Sequence, residues 1–428
     1  MKIYSYTDLS KAQVEELCNR QLEDDESIKR QVSEIVERVK VEGDAALVSY
    51  ALQFDKISLN KLYLDEEEIA ALADGIPQEA KQAIDVAYEN IKMFHSSQDS
   101  KEEKVETMSG VKCWRESRPI QKVGLYIPGG SAVLPSTFLM LGIPAMLAGC
   151  EEIVVCSPPQ KNGKTNCYVA YCAVKLGVKK IYLAGGAQAV AAMAYGTESV
   201  PKVYKIFGPG NRYVTQAKQL VQSITMTAID MPAGPSEVLV IADETANPSY
   251  VASDLLAQAE HGADSQAILV STSNEMIEQV LEQVEIQLDL LSRKEVTSKA
   301  IENSYAIKVA HLDEAMEFSN VYAPEHLILA TSAYASLIPS IINAGSVFLG
   351  NLTPESAGDY ASGTNHTLPT SGYAKAHSGV SLDSFVKKIT FQHITEQGLQ
   401  NIGNTVEVLA AAEGLDAHKN AISIRLKG

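Results

Sequence analysis

What the chain lacks narrows it first. Concentrated positive charge is missing: 36 Lys and Arg against 53 Asp and Glu leave a formal net charge of −17, which argues against nucleic-acid or anionic-membrane partners, because phosphate binding needs clustered cations. No Cys-x-x-Cys pair occurs. The six cysteines, Cys18, Cys113, Cys150, Cys156, Cys167 and Cys172, are scattered, the usage of a reduced intracellular protein rather than of a disulfide framework. The opening residues, Met1 to Asp8, carry no apolar signal core. The longest apolar run, Ala132–Cys150, is interrupted by Pro135, Ser136, Thr137 and Pro144, so it reads as a buried core helix and not as a membrane span. A cytoplasmic location is the expectation. Phosphate-loop signatures fail as well. Gly163-Lys164-Thr165 has Pro158 where the loop needs its first glycine, and no Gly-x-Gly-x-x-Gly is present.

What is present is the composition of a globular enzyme, 46% hydrophobic and 21% charged over 428 residues, a length that calls for two or more domains. Residues 1–105 look helical: Asp24 or Asp25 is placed to cap a helix carrying Val32, Ile35, Val36 and Val39, and a second pattern runs from Gln78 to Phe94. Beyond residue 120 the texture changes. Val123–Ile127, Ile153–Cys156 and Lys180–Ala184 read as strands that end in Pro128–Ser131, Ser-Pro-Pro and Gly185-Gly186. A second round follows in Glu237–Ala242, Ala267–Ser271, His326–Ala330 and Ser346–Gly350. Strands alternating with helical patterns predict two α/β units, each built on an open parallel sheet that binds ligands at the carboxyl ends of its strands. Residues 352–380 are rich in Gly, Ser, Thr, His and Pro without periodicity, and so long an irregular stretch is usually functional. Two short helices end the chain, Gly414 closing the first and Asp416 capping the second.

The chemistry gathers in two segments. Gln258 and His261 lie three apart in an apolar run, so a helix places both on one face able to hold a metal. Glu325 and His326 follow Pro324, offering a carboxylate and an imidazole at a turn, the parts for moving protons near neutral pH. His366 stands in Gly358-Asp-Tyr-Ala-Ser-Gly-Thr-Asn-His and His418 in Glu413-Gly-Leu-Asp-Ala-His. Each of these histidines has an acid or amide nearby that can orient an imidazole or complete a metal shell. Spacing alone leaves a zinc site open, and taken alone Ser236, Gly185-Gly186 and Gly208–Tyr213 read as turn residues.

Seven strings, in order along nearly the whole chain, carry a resemblance: Gly124-Leu-Tyr-Ile-Pro-Gly-Gly-Ser, Phe207-Gly-Pro-Gly-Asn-Arg-Tyr-Val, Ile229-Asp-Met-Pro-Ala-Gly-Pro-Ser-Glu-Val-Leu-Val, Leu255-Leu-Ala-Gln-Ala-Glu-His-Gly-Ala, Ala323-Pro-Glu-His-Leu, the Gly358 string continued to Thr370, and Glu413 to His418. Together they resemble histidinol dehydrogenase. The resemblance implies two incomplete Rossmann-like domains of aldehyde-dehydrogenase-like outline, with an N-terminal helical segment over 1–105, a metal and catalytic domain from 106–120 and 234–380, an NAD-binding domain over 121–233, and a helical tail over 381–428. It implies oxidation of L-histidinol to L-histidine by two NAD⁺ through an aldehyde, with one Zn²⁺ per subunit. The implied zinc ligands are Gln258, His261, Asp359 and His418, which also meet the substrate. The implied acid–base pair is Glu325 and His326, the latter a base near its ordinary pKa of about 6.5. Ser236, His366 and Glu413 are implied as further substrate contacts, and Tyr126, Gln188 and Asn211 as NAD⁺ contacts. A homodimer is implied in which Glu413 and His418 reach the partner's site. Arg212 and Thr364 depart from the family strings at flanking positions without an assigned role. Rival readings are a cysteine thioester route, a zinc hydrolase and a non-catalytic scaffold.

Overall fold

The computed structural model describes residues 1–20, 26–99, 103–129, 134–232 and 234–427. The expected caps Asp24 and Asp25, the strand-end residues Gly130 and Ser131, and Ala233 lie outside the described residues.

Two six-stranded sheets organise the chain. Across the first the order is Tyr63–Leu64, Ile181–Leu183, Glu152–Ser157, Lys122–Tyr126, Lys205–Phe207, Ala228–Ile229. Across the second it is Lys2–Ser5, Tyr305–Lys308, Gln266–Ser271, Glu237–Ala242, His326–Ala330, Ser346–Leu349. Setting the leading strand aside, each sheet runs third, second, first, fourth, fifth in chain order with all pairings parallel. This is the doubly wound half that strand–helix alternation produces when every crossover is right-handed. The central strands Glu237–Ala242 and His326–Ala330 are buried at every residue, which is why they read as unbroken apolar runs and not as alternating ones.

The N-terminal stretch is mostly helical, as its periodicity predicts. Helix Glu26–Glu42 buries Val32, Ile35, Val36 and Val39, and helix Gln78–Ser96 buries Ala87, Tyr88, Ile91 and His95. Both faces join the core of the first sheet. The same stretch also closes one edge of each sheet. Lys2–Ser5 pairs parallel with Tyr305–Lys308, and Tyr63–Leu64 pairs antiparallel with Ile181–Leu183. These strands are too short for a periodic signal.

A third, antiparallel sheet of Val105–Met108, Val111–Pro119 and Val386–Ile394 carries the tail. Helices Glu396–Ala412 and Asp416–Lys427 follow it, with Gly414 at φ +72° between them. Val408, Leu409, Leu415 and Ile424 stand exposed on this tail. No helix among the described residues is long and apolar enough to cross a membrane.

One buried ion pair shapes the mouth of the first sheet. The Lys218 ammonium meets Asp230 and donates to the Gly208 carbonyl at 2.9 Å, while the second Asp230 oxygen accepts the Gly208 N–H at 2.9 Å. Gly208 has φ +132°, and a Cβ there would stand 2.2 Å from the Tyr126 carbonyl oxygen, so the turn admits only glycine. Removing one partner of such a pair strands the other charge in the interior. Asp230→Ala is therefore expected to cost about 3–5 kcal/mol in urea unfolding; a loss below about 1 kcal/mol would show that water reaches Lys218.

Candidate active site

The carboxyl edge of the first sheet opens into a crevice of about 670 Å³ whose lining includes Tyr126, Ser157, Gly185, Gln188 and Asn211. All three residues expected to contact a dinucleotide therefore meet there. The buried Tyr126 hydroxyl accepts the N–H of Gly186 at 3.1 Å, at the first turn of helix Gly186–Tyr195. Asn211 caps helix Arg212–Ile224, accepting the N–H groups of Tyr213 and Val214 at 3.1 and 3.2 Å. Asn211 also lines a second crevice of about 410 Å³, together with Ser236 and His261.

The second sheet contradicts the expectation that ligands sit at carboxyl ends. Its titratable cluster lies at the amino ends, where Glu237 and His326 are the first residues of adjacent strands. The opposite end is closed by hydrogen bonds from Thr331, the Thr245 hydroxyl and the Thr245 N–H to Asp243. Amino ends present free N–H groups, and these suit carboxylates. Glu325 Oε2 accepts the Glu237 N–H at 2.9 Å.

His326 sits in the middle of this cluster. Its Nδ1 lies 3.3 Å from the Glu237 carbonyl and 3.7 Å from both Glu325 and Glu355, and its Nε2 lies 3.6 Å from Asp359 Oδ1. Ala323, at φ +54°, makes the sharp exit from helix Leu312–Tyr322 that delivers Pro324, Glu325 and His326 to the sheet. A left-handed non-glycine residue is strained, and such strain collects at functional sites. Gln258 is fully buried on the last turn of helix Pro248–Ala259. With its amide turned to meet complementary partners, its nitrogen faces Glu355 and its oxygen accepts the Glu237 N–H at 2.7 Å. His261 follows just beyond that helix end, whose partial negative charge favours a cation. His366 bonds the Asp359 carbonyl through Nδ1 at 2.8 Å and the Thr137 hydroxyl through Nε2 at 3.1 Å.

The fold thus gathers Gln258, His261, Glu325, His326, Asp359 and His366, with Ser236 in the adjoining crevice. It does not bring Glu413 or His418 to them within one chain, since both are exposed on the tail. Three residues escaped the sequence reading. Glu355 is buried, and its carboxylate lies with His261 and Asp359 in a group whose ligand atoms fall within 4.8 Å of one another. A second Pro-Glu pair, Pro354-Glu355, echoing Pro324-Glu325, was the available signal. Thr137 and Glu237 act through contacts that no motif announces. Glu237 is buried against Arg20, with its carboxylate also accepting from the Tyr322 hydroxyl at 3.2 Å and the Ser371 N–H at 2.7 Å.

Burial pushes the Glu325 carboxyl up to about 8. His326 departs from the expected value near 6.5. Burial works against its charged form, but Glu355, Glu325 and Asp359 outweigh burial and push it up to about 10. Glu355 is raised well above the usual carboxylate range by burial, with His326 opposing. Burial holds His261 and His366 below their ordinary values. Two buried atoms, His326 Nε2 and Asp359 Oδ1, have no hydrogen-bond partner. Orphaned atoms beside an imidazole, an amide oxygen and carboxylates fit a zinc ion's taste for nitrogen and oxygen donors. None of the six cysteines lines either crevice, and burial pushes Cys150, Cys156 and Cys172 up to about 12. The thioester route therefore lacks its nucleophile.

A carboxyl or imidazole whose pKa rises on folding adds stability below its unfolded value and loses it as pH climbs through the folded one. Metal-stripped protein should therefore lose stability from about pH 4.5 toward pH 8 through Glu325 and from about 6.5 toward 10 through His326. Glu325→Gln should match the parent at pH 5 and melt higher at pH 9. Calorimetric melts in chelator check this, and parallel pH profiles for the two proteins would refute it.

Comparison with known proteins shows the family. The family model described as histidinol dehydrogenase matches residues 18–426. The chain is 58% identical to histidinol dehydrogenase of Bacteroides thetaiotaomicron over 426 residues, covering 100% of this chain and 99% of that one. It is 53% identical to the chloroplastic histidinol dehydrogenase of Arabidopsis thaliana, covering 100% of this chain and 92% of that one. It superimposes on the crystal structure of histidinol dehydrogenase from Elizabethkingia anophelis with a TM-score of 0.96 at 53% identity, over 100% and 98% of the two chains. The chain belongs to the histidinol dehydrogenase family.

Proposed function

We propose that the chain oxidises L-histidinol to L-histidine, the last step of histidine biosynthesis, in two NAD⁺-dependent steps through L-histidinaldehyde, with one Zn²⁺ per subunit. The observation that carries the proposal is His326, buried within 3.6–3.7 Å of Glu325, Glu355 and Asp359 with Nε2 lacking a hydrogen-bond partner among the described residues, beside a crevice shared by Asn211, Ser236 and His261. Gln258, His261 and Asp359, with His418 of the partner subunit, are the residues that would hold zinc. Bound NAD⁺ supplies the hydride acceptor and bound zinc an anchor for the substrate's imidazole and amine.

The protein's own groups then move protons. His326 takes the hydroxyl proton as the carbinol carbon gives up hydride. Glu325 takes a proton from the water that adds to the aldehyde carbon, and the hydrate is a new alcohol on which His326 acts again. The Glu237 N–H fixes the Glu325 carboxylate and the Glu237 carbonyl lies against the His326 ring, so both stages share one geometry. Ser236, His366 and the partner subunit's Glu413 would bind polar ends of the substrate. Tyr126, Gln188 and Asn211 would bind the cofactor.

In this reading residues 121–233 form the cofactor domain and 106–120 with 234–380 the metal and catalytic domain. Residues 1–105 are the N-terminal helical segment, and residues 381–428 the tail that completes the partner's site. The exposed apolar residues of the tail supply a surface for that contact.

Purified protein with Zn²⁺, NAD⁺ and L-histidinol should form two NADH per histidinol consumed. A ratio of one, or none, would sink the two-step reading. Mixed dimers refolded from His418→Ala chains and Glu325→Gln/His326→Ala chains should recover about a quarter to a half of parental activity, since one of the two shared sites is then intact. Mixtures no more active than either variant alone would place each site within a single chain.

A further inference from the structure

The cofactor crevice contains one group that the chemistry above leaves unused. Asp55 is the single carboxylate among the described residues that line it, and Lys161 the single cation. Asp55 is half-buried, without a hydrogen bond or ion pair to satisfy it among the described residues, and burial pushes its carboxyl up. It ends a π-helical turn, Ala51–Asp55, and is followed by Lys56 in the left-handed region at φ +61°. Single π turns and left-handed non-glycine residues are both costly, and both recur where a side chain must be aimed. Thr165 is a second polar residue of the lining that is buried with its hydroxyl unpartnered.

We infer that Asp55 sets the preference for NAD⁺ over NADP⁺, by accepting hydrogen bonds from the adenosine ribose hydroxyls and repelling a 2′-phosphate. The inference rests on the assignment of this crevice to the cofactor. In a parallel sheet of this winding, the acid that reads the ribose ordinarily follows the second strand. Here that strand ends at Ser157 and continues Pro158-Pro159-Gln160-Lys161, without an acid. Asp55 enters the same crevice from the N-terminal segment and fills the vacant role. Its neighbours place the adenine: Ile35 and Phe54 are apolar lining residues from the same segment, and Phe54 precedes Asp55 directly. Lys161 would attract a 2′-phosphate, but it is exposed, and an exposed charge is screened by water and salt. The half-buried carboxylate, in a lower dielectric, decides the sign.

The test uses the full-length, zinc-loaded protein with L-histidinol, comparing kcat/KM for NAD⁺ and for NADP⁺. Asp55→Asn should lower the preference for NAD⁺ by about 10- to 100-fold, the loss expected when a hydrogen bond to a charged group goes and a repulsion is relieved. Asp55→Glu, which keeps the charge, should retain discrimination against NADP⁺. Equal losses with both cofactors would assign Asp55 to the other ribose or to the fold alone, and an unchanged ratio would remove it from the site; either overturns the inference. Gln31→Trp, which fills the crevice mouth, separates this from the underlying assignment. NAD⁺ binding weakened by Gln31→Trp with an unaltered preference in Asp55→Asn rejects only the role of Asp55. NAD⁺ binding untouched by Gln31→Trp rejects the crevice as the cofactor site and the inference with it.

Discussion

The chemistry of this protein depends on how one buried residue, Glu237, is held. Its side chain is pinned by Arg20, the Tyr322 hydroxyl and the Ser371 N–H, and the Arg20 guanidinium stacks 3.6 Å above the Tyr322 ring. Its main chain then works in the other direction. The Glu237 N–H binds Glu325 and reaches Gln258, and its carbonyl abuts His326. Four stretches distant in sequence are thereby fixed relative to one peptide unit. A buried carboxylate is expensive unless paired and fully hydrogen-bonded, so the cluster forms completely or not at all. That convergence gives Glu325 and His326, the proposed acid–base pair, a defined position where strand His326–Ala330 begins.

The two sheets share a winding but are used from opposite ends. The first offers its carboxyl edge, where the N-terminus of helix Gly186–Tyr195 carries a partial positive charge suited to an anionic cofactor. The second offers its amino edge, where strand N–H groups anchor carboxylates and the end of helix Pro248–Ala259 favours a cation. The proposed cofactor and metal call for opposite polarities, and a carboxyl edge beside an amino edge offers both. Asn211 lines both crevices, and Arg212 next to it lies 4.0 Å from Asp264 across the gap.

The parallel sheets were legible because their strands are buried on both faces and bracketed by Gly and Pro, and the helices because Val32, Ile35, Val36 and Val39 keep a helical period. Strands Lys2–Ser5 and Tyr63–Leu64 were not, since four and two residues carry no period. The cluster in which Gln258, His261, Glu325 and His326 converge was legible as strings, because each string sets metal-binding or titratable groups together at a helix end or a proline turn. The binding edge of the second sheet was misjudged. The carboxyl-end rule describes switch points left open, and here Asp243, Thr245 and Thr331 fill the switch point with their own hydrogen bonds. Glu355 and Glu237 stayed hidden because their roles come from convergence in space.

The raised pKa of His326 has a physical sense once the carboxylates are counted. A unit charge pair at 3.6 Å interacts by about 4–5 kcal/mol at an effective dielectric near 20, so Glu355, Glu325 and Asp359 together overcome the burial that opposes a charged His326 ring. A protonated imidazole is no base. In the proposed mechanism the acids that gather around His326 would therefore oppose proton transfer until something else neutralises them. A divalent ion on Asp359 and His261 would do so, returning the imidazole toward neutrality by the same electrostatics that had charged it, and binding of that ion would release protons. On the proposed reading, the carboxylates that would bind the metal would thus also keep His326 protonated while the site is incomplete. His418 is exposed on the tail of its own chain; with the partner subunit's His418 as the proposed fourth ligand, the acidity of this cluster would tie proton transfer to assembly.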